Sequence, residues 1–593
     1  MKVRLFNELS TGTVRRALVI AASTATLMLS GCSKDDDSDE EVPAINYQIW
    51  ASDQSNSVAG VETPGTRGSY LWIWESSDLA VQIEGGVDAP PVSCVPAEND
   101  ESTGPCDLLD VFPQDLAEID ADGNATGQSL GDLNGFGRLH GMLADPQNRY
   151  VNANIFAPGG GFVGVIDIQT REAIALFRVT GTNVGGNTGV RSVHMSYWSD
   201  TGDSILVANL NGKLLERIDV TRDASDTITD LMFNRSASLG VGKGMAVTEE
   251  ATTFSGNNAF GRAMMGSIGG DYSEADLGDL TPSGVCKENG CDGADGGLGG
   301  RPNNVIICPI PSSGGNGYVT LGGGGLLVAN TRTTPMEIVG EYGNQVINGA
   351  GCGAVQVDDT MWINAGVSAS PAGATQSVFT IYTLNDTDYA SMAQPENTPM
   401  PMFVFQDSGN TATGGNQNGD AANDSGQMPG TTTRRDSHGM EPTLNGSHVH
   451  VVDRVANNVE VFDREFNRTS YDLTSADGRG NGVGPCAARS ISDDAGLPGN
   501  DPAPDLMDLT PDGKYMVIAF RGPSPVSVNH SAQGSCPGVG VVEVTDGGAY
   551  GKLVTVLNTR NVTDTSTGSA PGGYAYSGAE RSDVHGAIAV RVP

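Results

Sequence analysis

One unit recurs along this chain, and it constrains the fold more than any other feature. Each copy has an extended segment, a polar turn, and a second extended segment ending in a small residue followed by Asn or Asp. More β-branched chain then follows. The clearest copies are 140–154 with 162–167, 194–209 with 214–220, 354–364 with 377–382, and 438–453 with 459–463. Looser ones lie at 318–322 with 326–330 and at 507–519 with 540–544. The apolar runs are short and bounded by Gly, Asn, Asp and Pro, so they predict strands rather than helices. The chain has 81 glycines, which favours many short strands and turns over helical bundles.

Copies about fifty residues long, each with chain for four strands, predict a ring of radially arranged sheets: an all-β propeller. The ends sharpen this expectation. The run 585–592 reads as an inner strand without its partner, and 47–58 reads as a second strand without its first. Joined, they complete a seventh blade from both ends of the chain and remove two exposed sheet edges. Seven blades are therefore expected, with eight the next count. This closure resembles that of bacterial surface propellers built on YVTN-type strand repeats, over about 45–593. The glycine- and acid-rich stretches at about 86–130, 235–303 and 406–436 are expected to be inserted loops. In the first, Asp120, Asp122 and Asn124 begin like a calcium loop, but no Glu stands at the twelfth position; a solvated loop is the main expectation and calcium the lesser one.

The formal charge is −38, from 33 Lys+Arg and 71 Asp+Glu, and this excludes a general nucleic-acid binder. Residues 1–31 read as a signal: Lys2, Arg4, Arg15 and Arg16 precede an apolar run over 17–29, and Leu29-Ser30-Gly31-Cys32 follows. That segment resembles a bacterial lipobox, which implies cleavage before Cys32 and lipidation, including palmitate, on it. Ser33 rather than Asp after the cysteine favours an outer-membrane lipoprotein facing the periplasm or the surface. The acidic stretch 32–44 has nothing to bury and reads as a tether. The expected membrane association is therefore through the lipid. Eight further cysteines in an exported chain predict disulfides. The simplest pairs are Cys94 with Cys106, Cys286 with Cys291, Cys308 with Cys352, and Cys486 with Cys536.

The histidines supply the chemistry. Of seven, four fall at one phase of the repeat: His140, His194 and His438 each stand 14 or 15 residues before the Asn or Asp that ends the next strand. His585 opens the split blade at the matching place. Inner strands of a propeller converge on its channel, so four equivalent starts aim four imidazoles at one axis. Imidazole suits zinc, copper, iron and nickel. Asp436 and Asp583, each two residues before a histidine, are candidate outer acceptors or fourth ligands, and Glu441 is a further acid near the rim. The competing expectation is that such histidines simply bond the neighbouring blade. His448 and His450 are off this phase and read as structural or surface residues.

The His-Gly strand starts resemble those of periplasmic zinc metallochaperone propellers, which implies metal binding and delivery, with a metal transporter or another envelope protein as partner. Carotenoid cleavage oxygenases hold iron(II) with four axial histidines, the last in a His-Gly like His585-Gly586, but the acidic tail and glycine-rich strands depart from that family. Nitrous oxide reductase needs more ligands and a copper domain that this sequence lacks. The leading expectation is thus a lipid-anchored envelope propeller binding zinc or copper through His140, His194, His438 and His585, a reading that leans away from enzymatic activity without settling it. The alternatives are a non-catalytic scaffold for an envelope protein or glycan, and an iron-dependent oxygenase.

Overall fold

The computed structural model describes residues 45–54, 69–93, 104–133, 137–157, 160–184, 186–241, 246–255, 261–269, 305–322, 324–343, 346–347, 349, 351–366, 379–392, 399–407, 435–490, 499–523, 533–559, 567–569, 575–577 and 582–592. Cys32, the tether, Cys94, Cys286 and Cys291 lie outside them. So do most of the stretches 235–303 and 406–436.

The protein is all-β, and the seven inner strands open seven sheets in chain order, antiparallel except where Arg262–Met264 adds a parallel strand to the second. They are Leu139–Ala144, Val193–Trp198, Ile306–Pro311, Ala354–Val357, Ser437–Pro442, Pro504–Leu509 and Val584–Arg591, the first strands of blades 1 to 7. Blades 3 to 7 have four strands each, whereas blades 1 and 2 are extended. Blade 7 is built from both ends of the described chain: Val584–Arg591 pairs antiparallel with Tyr47–Asp53, which pairs in turn with Tyr70–Glu75. The Gln54 amide donates to the Asp583 carbonyl and continues the joint beyond the strands.

Middle strands are buried on both faces because blades stack face to face, so they read as unbroken apolar runs instead of alternating ones. Tyr515–Phe520 of blade 6 shows how. Val517 and Ala519 join a core with Trp72 and Trp74 of blade 7, while Met516, Ile518 and Phe520 join one with Val452 and Val459 of blade 5. Each such Ile or Phe contributes about 1.5–3 kcal/mol by leaving water. Two disulfides lie wholly within the described residues, Cys308–Cys352 and Cys486–Cys536. Cys106 is also disulfide-bonded.

The stretch 86–130 is not the plain loop its composition predicts. Cys106–Asp107 adds the outermost strand of blade 7, and Ala117–Ile119 with Ala125–Ser129 forms a hairpin. Thr252–Ser255 joins that hairpin to blade 1, making its sheet seven-stranded. Phe254 and Leu130, buried against Phe162 and Phe112, anchor an otherwise polar segment, a small apolar signal in a hydrophilic window.

Candidate metal centre at the propeller axis

A register slip shapes the inner strands. Leu139 pairs with Ile155, but Gly141 pairs with Asn154, so His140 is the extra residue of a bulge. His585 is the extra residue between Val584 and Gly586 in the same way. Strands Val193–Trp198, Ile306–Pro311, Ser437–Pro442 and Pro504–Leu509 each carry one extra residue at the corresponding place, around His194, Cys308, His438 and Asp505. A bulge leaves a residue out of the ladder and re-aims its side chain. In five blades it turns one residue toward the axis, namely His140, His194, His438, Asp505 and His585, whereas blade 4 pairs without a slip and blade 3 has Ile307 at that place with Cys308 next.

The glycine after three of these histidines permits the packing. A Cβ on Gly439 would lie 2.5 Å from the Asp505 carbonyl oxygen, and one on Gly141 would lie 2.6 Å from Met195 Sδ. The inner strand of blade 5 therefore runs against the backbone of blade 6 at the level of the axis.

The structure brings the four phased histidines to one axis, but no three of their donor atoms, with or without Asp505, lie within 4.8 Å of one another among the described residues. His140 Nε2 is 3.1 Å from His194 Nε2, and the His140 ring stacks on His585 with centroids 4.0 Å apart. His438 faces His585 edge-on, with centroids 5.9 Å apart. His140 Nδ1 is hydrogen-bonded to the Gln54 side-chain amide at 2.9 Å. His585 Nδ1 is buried with no hydrogen-bond partner among the described residues.

Asp505 completes the cluster. Its carboxylate pairs with His438 Nδ1, lies 3.8 Å from His585 Nε2 and accepts from Arg521 at 2.6 Å. Burial pushes this carboxyl up, but the hydrogen bond from His438 and the charge of the buried Arg521 outweigh it and hold Asp505 well below the usual carboxylate range. Burial drives all four imidazoles toward neutrality: His194 is pushed down to about 3, and His140, His438 and His585 are lowered as well. Neighbouring rings and arginines add to the effect. A neutral ring keeps one lone pair for a cation; that of His140 accepts from Gln54 Nε2 at Nδ1, so its Nε2–H donates to His194 Nε2, a hydrogen bond that an ion there would displace.

The other predicted acids are placed differently. Asp436 accepts from Arg454 Nε at 2.9 Å, and Asp583 accepts from Arg521 Nε at 2.6 Å and Nη2 at 2.9 Å. They thus position two buried guanidiniums behind the ring, and the acid facing the imidazoles is Asp505. Glu441 stands three residues beyond His438 on the same strand, about 10 Å along it. Burial, with the nearby Asp508, pushes its carboxyl well up. Asp120 accepts from the amides of Asp122 and Asn124, a closed turn in which those backbone groups occupy one of its oxygens. His450 is structural: it is buried, with Nε2 donating to the Gly548 carbonyl at 2.8 Å and Nδ1 beside Tyr471 Oη at 3.1 Å.

Sequence reasoning missed Asp505 and the axial place of Cys308 and Cys352. The inner strand of blade 6 has the right phase, since Pro504 pairs with Phe520 as Ser437 pairs with Asp453. Phe520 stands where other copies end in Asn or Asp, and that removes the anchor. In blade 3, Pro309 and Pro311 disguise a strand. The Cys308–Cys352 bridge ties blade 3 to blade 4, and both sulfurs lie 3.7 Å from His194 Nδ1.

No protein-family model matches the chain, and no curated protein matches it in sequence. Solved structures do resemble it. A Lactobacillus plantarum protein is 9% identical, with 93% of this chain and 100% of that one covered at a TM-score of 0.39. The periplasmic gluconolactonase of Pseudomonas aeruginosa is 8% identical, with 92% and 100% covered at 0.38. The Swd1 β-propeller domain of Myceliophthora thermophila is 9% identical, with 64% and 93% covered at 0.29.

Proposed function

We propose that this β-propeller is a lipid-anchored protein of the cell envelope that binds a transition metal, zinc ahead of copper, for storage or delivery. His140, His194, His438 and His585 would supply the nitrogens, and Asp505 would supply the charge and orient His438. The carrying observation is the 3.1 Å approach of His140 Nε2 to His194 Nε2 beside the orphaned Nδ1 of His585. Two nitrogens bound tetrahedrally to one ion at about 2.0–2.1 Å would stand about 3.3 Å apart. A buried ring nitrogen without a partner costs free energy unless something occupies it. The donor set of neutral imidazoles and one carboxylate fits a borderline cation. Delivery to a transporter or other envelope partner, and anchoring through Cys32, belong to the same reading.

The test is metal analysis of protein purified without an affinity tag, beside a His140→Ala/His585→Ala variant. Roughly one zinc or copper per chain is expected in the first and far less in the second. Equal metal content in both would sink the reading.

A further inference from the structure

We propose that Cys308, Cys352 and His194 form a redox-controlled metal site: a disulfide when oxidised, and a two-thiolate, one-imidazole ligand set when reduced. The proposal rests on the axial reading only in that the two sites share His194: its neutral ring has one lone pair, so an ion seated at the sulfurs through Nδ1 withdraws Nε2 from the axial set. Among the described residues, these three are the one group of three or more His, Cys, Asp or Glu whose donor atoms all lie within 4.8 Å of one another. Each Sγ is 3.7 Å from Nδ1, so small side-chain rotations bring them onto one ion. Two cysteines and one histidine with an open fourth position is an established zinc geometry.

Opening the bridge leaves the two backbones in place, and side-chain rotation parts the sulfurs to the spacing that two thiolates on one ion need. Blades 3 and 4 are also joined by Asp386, which accepts from Ser312 Oγ, Asn316 Nδ2 and Tyr318 Oη at 2.8–2.9 Å. A shared core containing Tyr318, Tyr382 and Tyr389 lies beneath. The second bridge, Cys486–Cys536, has no such group around it among the described residues.

The chemistry balances with an external dithiol. The reductant gives two electrons and two protons to the S–S bond and closes its own disulfide, leaving two thiols on the protein. A divalent ion then displaces both thiol protons to solvent. Thiolates are the soft donors that zinc and copper(I) prefer to imidazole and carboxylate. Reduction would therefore open a tighter seat that takes His194 from the axial set, and oxidation would expel the ion from it.

The experiment uses full-length protein and cobalt(II), before and after reduction with a phosphine that is then removed. Thiolate-to-cobalt charge-transfer absorption is expected in the near ultraviolet for reduced wild type. It should be absent from oxidised wild type and from reduced Cys308→Ser/Cys352→Ser. Reduced His140→Ala/His585→Ala should retain it, which separates this site from the axial one. In a second measurement that needs no variant, zinc should protect Cys308 and Cys352 from alkylation at least tenfold in the reduced wild type. Reduced protein without the absorption, or cysteines alkylated equally with and without zinc, would overturn the proposal whatever the axial histidines do.

Discussion

His140 and His194 stand 54 residues apart on adjacent blades, yet their Nε2 atoms approach to 3.1 Å. If that pair holds an ion, metal and fold are linked. Zinc at about a hundred times its dissociation constant should then add about 2.7 kcal/mol to unfolding. A chelator should reverse the rise in Tm, and His140→Ala should abolish it. Differential scanning fluorimetry with and without zinc reads this directly, and a zinc-independent Tm in the wild type would contradict it.

Asp505 and Asp583 share Arg521, whose side chain is fully buried. Removing either carboxylate leaves a buried guanidinium short of charge, so Asp505→Asn and Asp583→Asn should each lose about 3–5 kcal/mol in urea unfolding. Only Asp505 faces His438 and His585. Competition titration should therefore show a metal affinity about 10–100-fold lower for Asp505→Asn and nearly unchanged for Asp583→Asn. Equal losses would reduce Asp505 to a structural acid.

Gly439→Ala tests the close approach of blades 5 and 6. Its new Cβ would press on the Asp505 carbonyl and on Leu506 Cα, both backbone atoms. A cost of about 1–3 kcal/mol is expected. Gly586→Ala, whose Cβ would meet Ser52 Oγ at 3.1 Å, should cost less in the same unfolding assay.

Acid should weaken the metal-free protein. His194 and His450 are lowered to about 3 and about 4, both led by burial, so between those values and 6.5 the unfolded chain binds protons that the folded one refuses. Stability is then full above about pH 6.5 and lost as the pH falls below it. Each of the two should cost about 3 kcal/mol by pH 4. Denaturant midpoints measured from pH 7 to pH 4 check this, and a flat profile would refute it.

The ring itself was legible in the residues. Strand runs such as Leu206–Asn209 and Val459–Asp463 repeat at a regular interval, and the run 585–592 fits the partnerless 47–53 because a propeller tolerates no open edge. The four histidines could be phased because three copies retain the Asn or Asp that closes the next strand. What stayed hidden depended on long-range placement. Asp505 lacked that anchor, the guanidiniums that engage Asp436 and Asp583 come from other strands, and nothing local in 86–130 announces that Phe254 will pin it to blade 1. The Cys308–Cys352 pairing was readable as a count of cysteines, but its contact with His194 belongs to the ring's geometry.

The slip shared by six inner strands makes the centre of this molecule modular. Five of them present one seat whose backbone is set by the ladder and not by its occupant, His in four and Asp in one, while blade 3 has Ile307 at that place and Cys308 one residue on. A ring of this kind can change its axial side chains a seat at a time, with no blade having to be rebuilt.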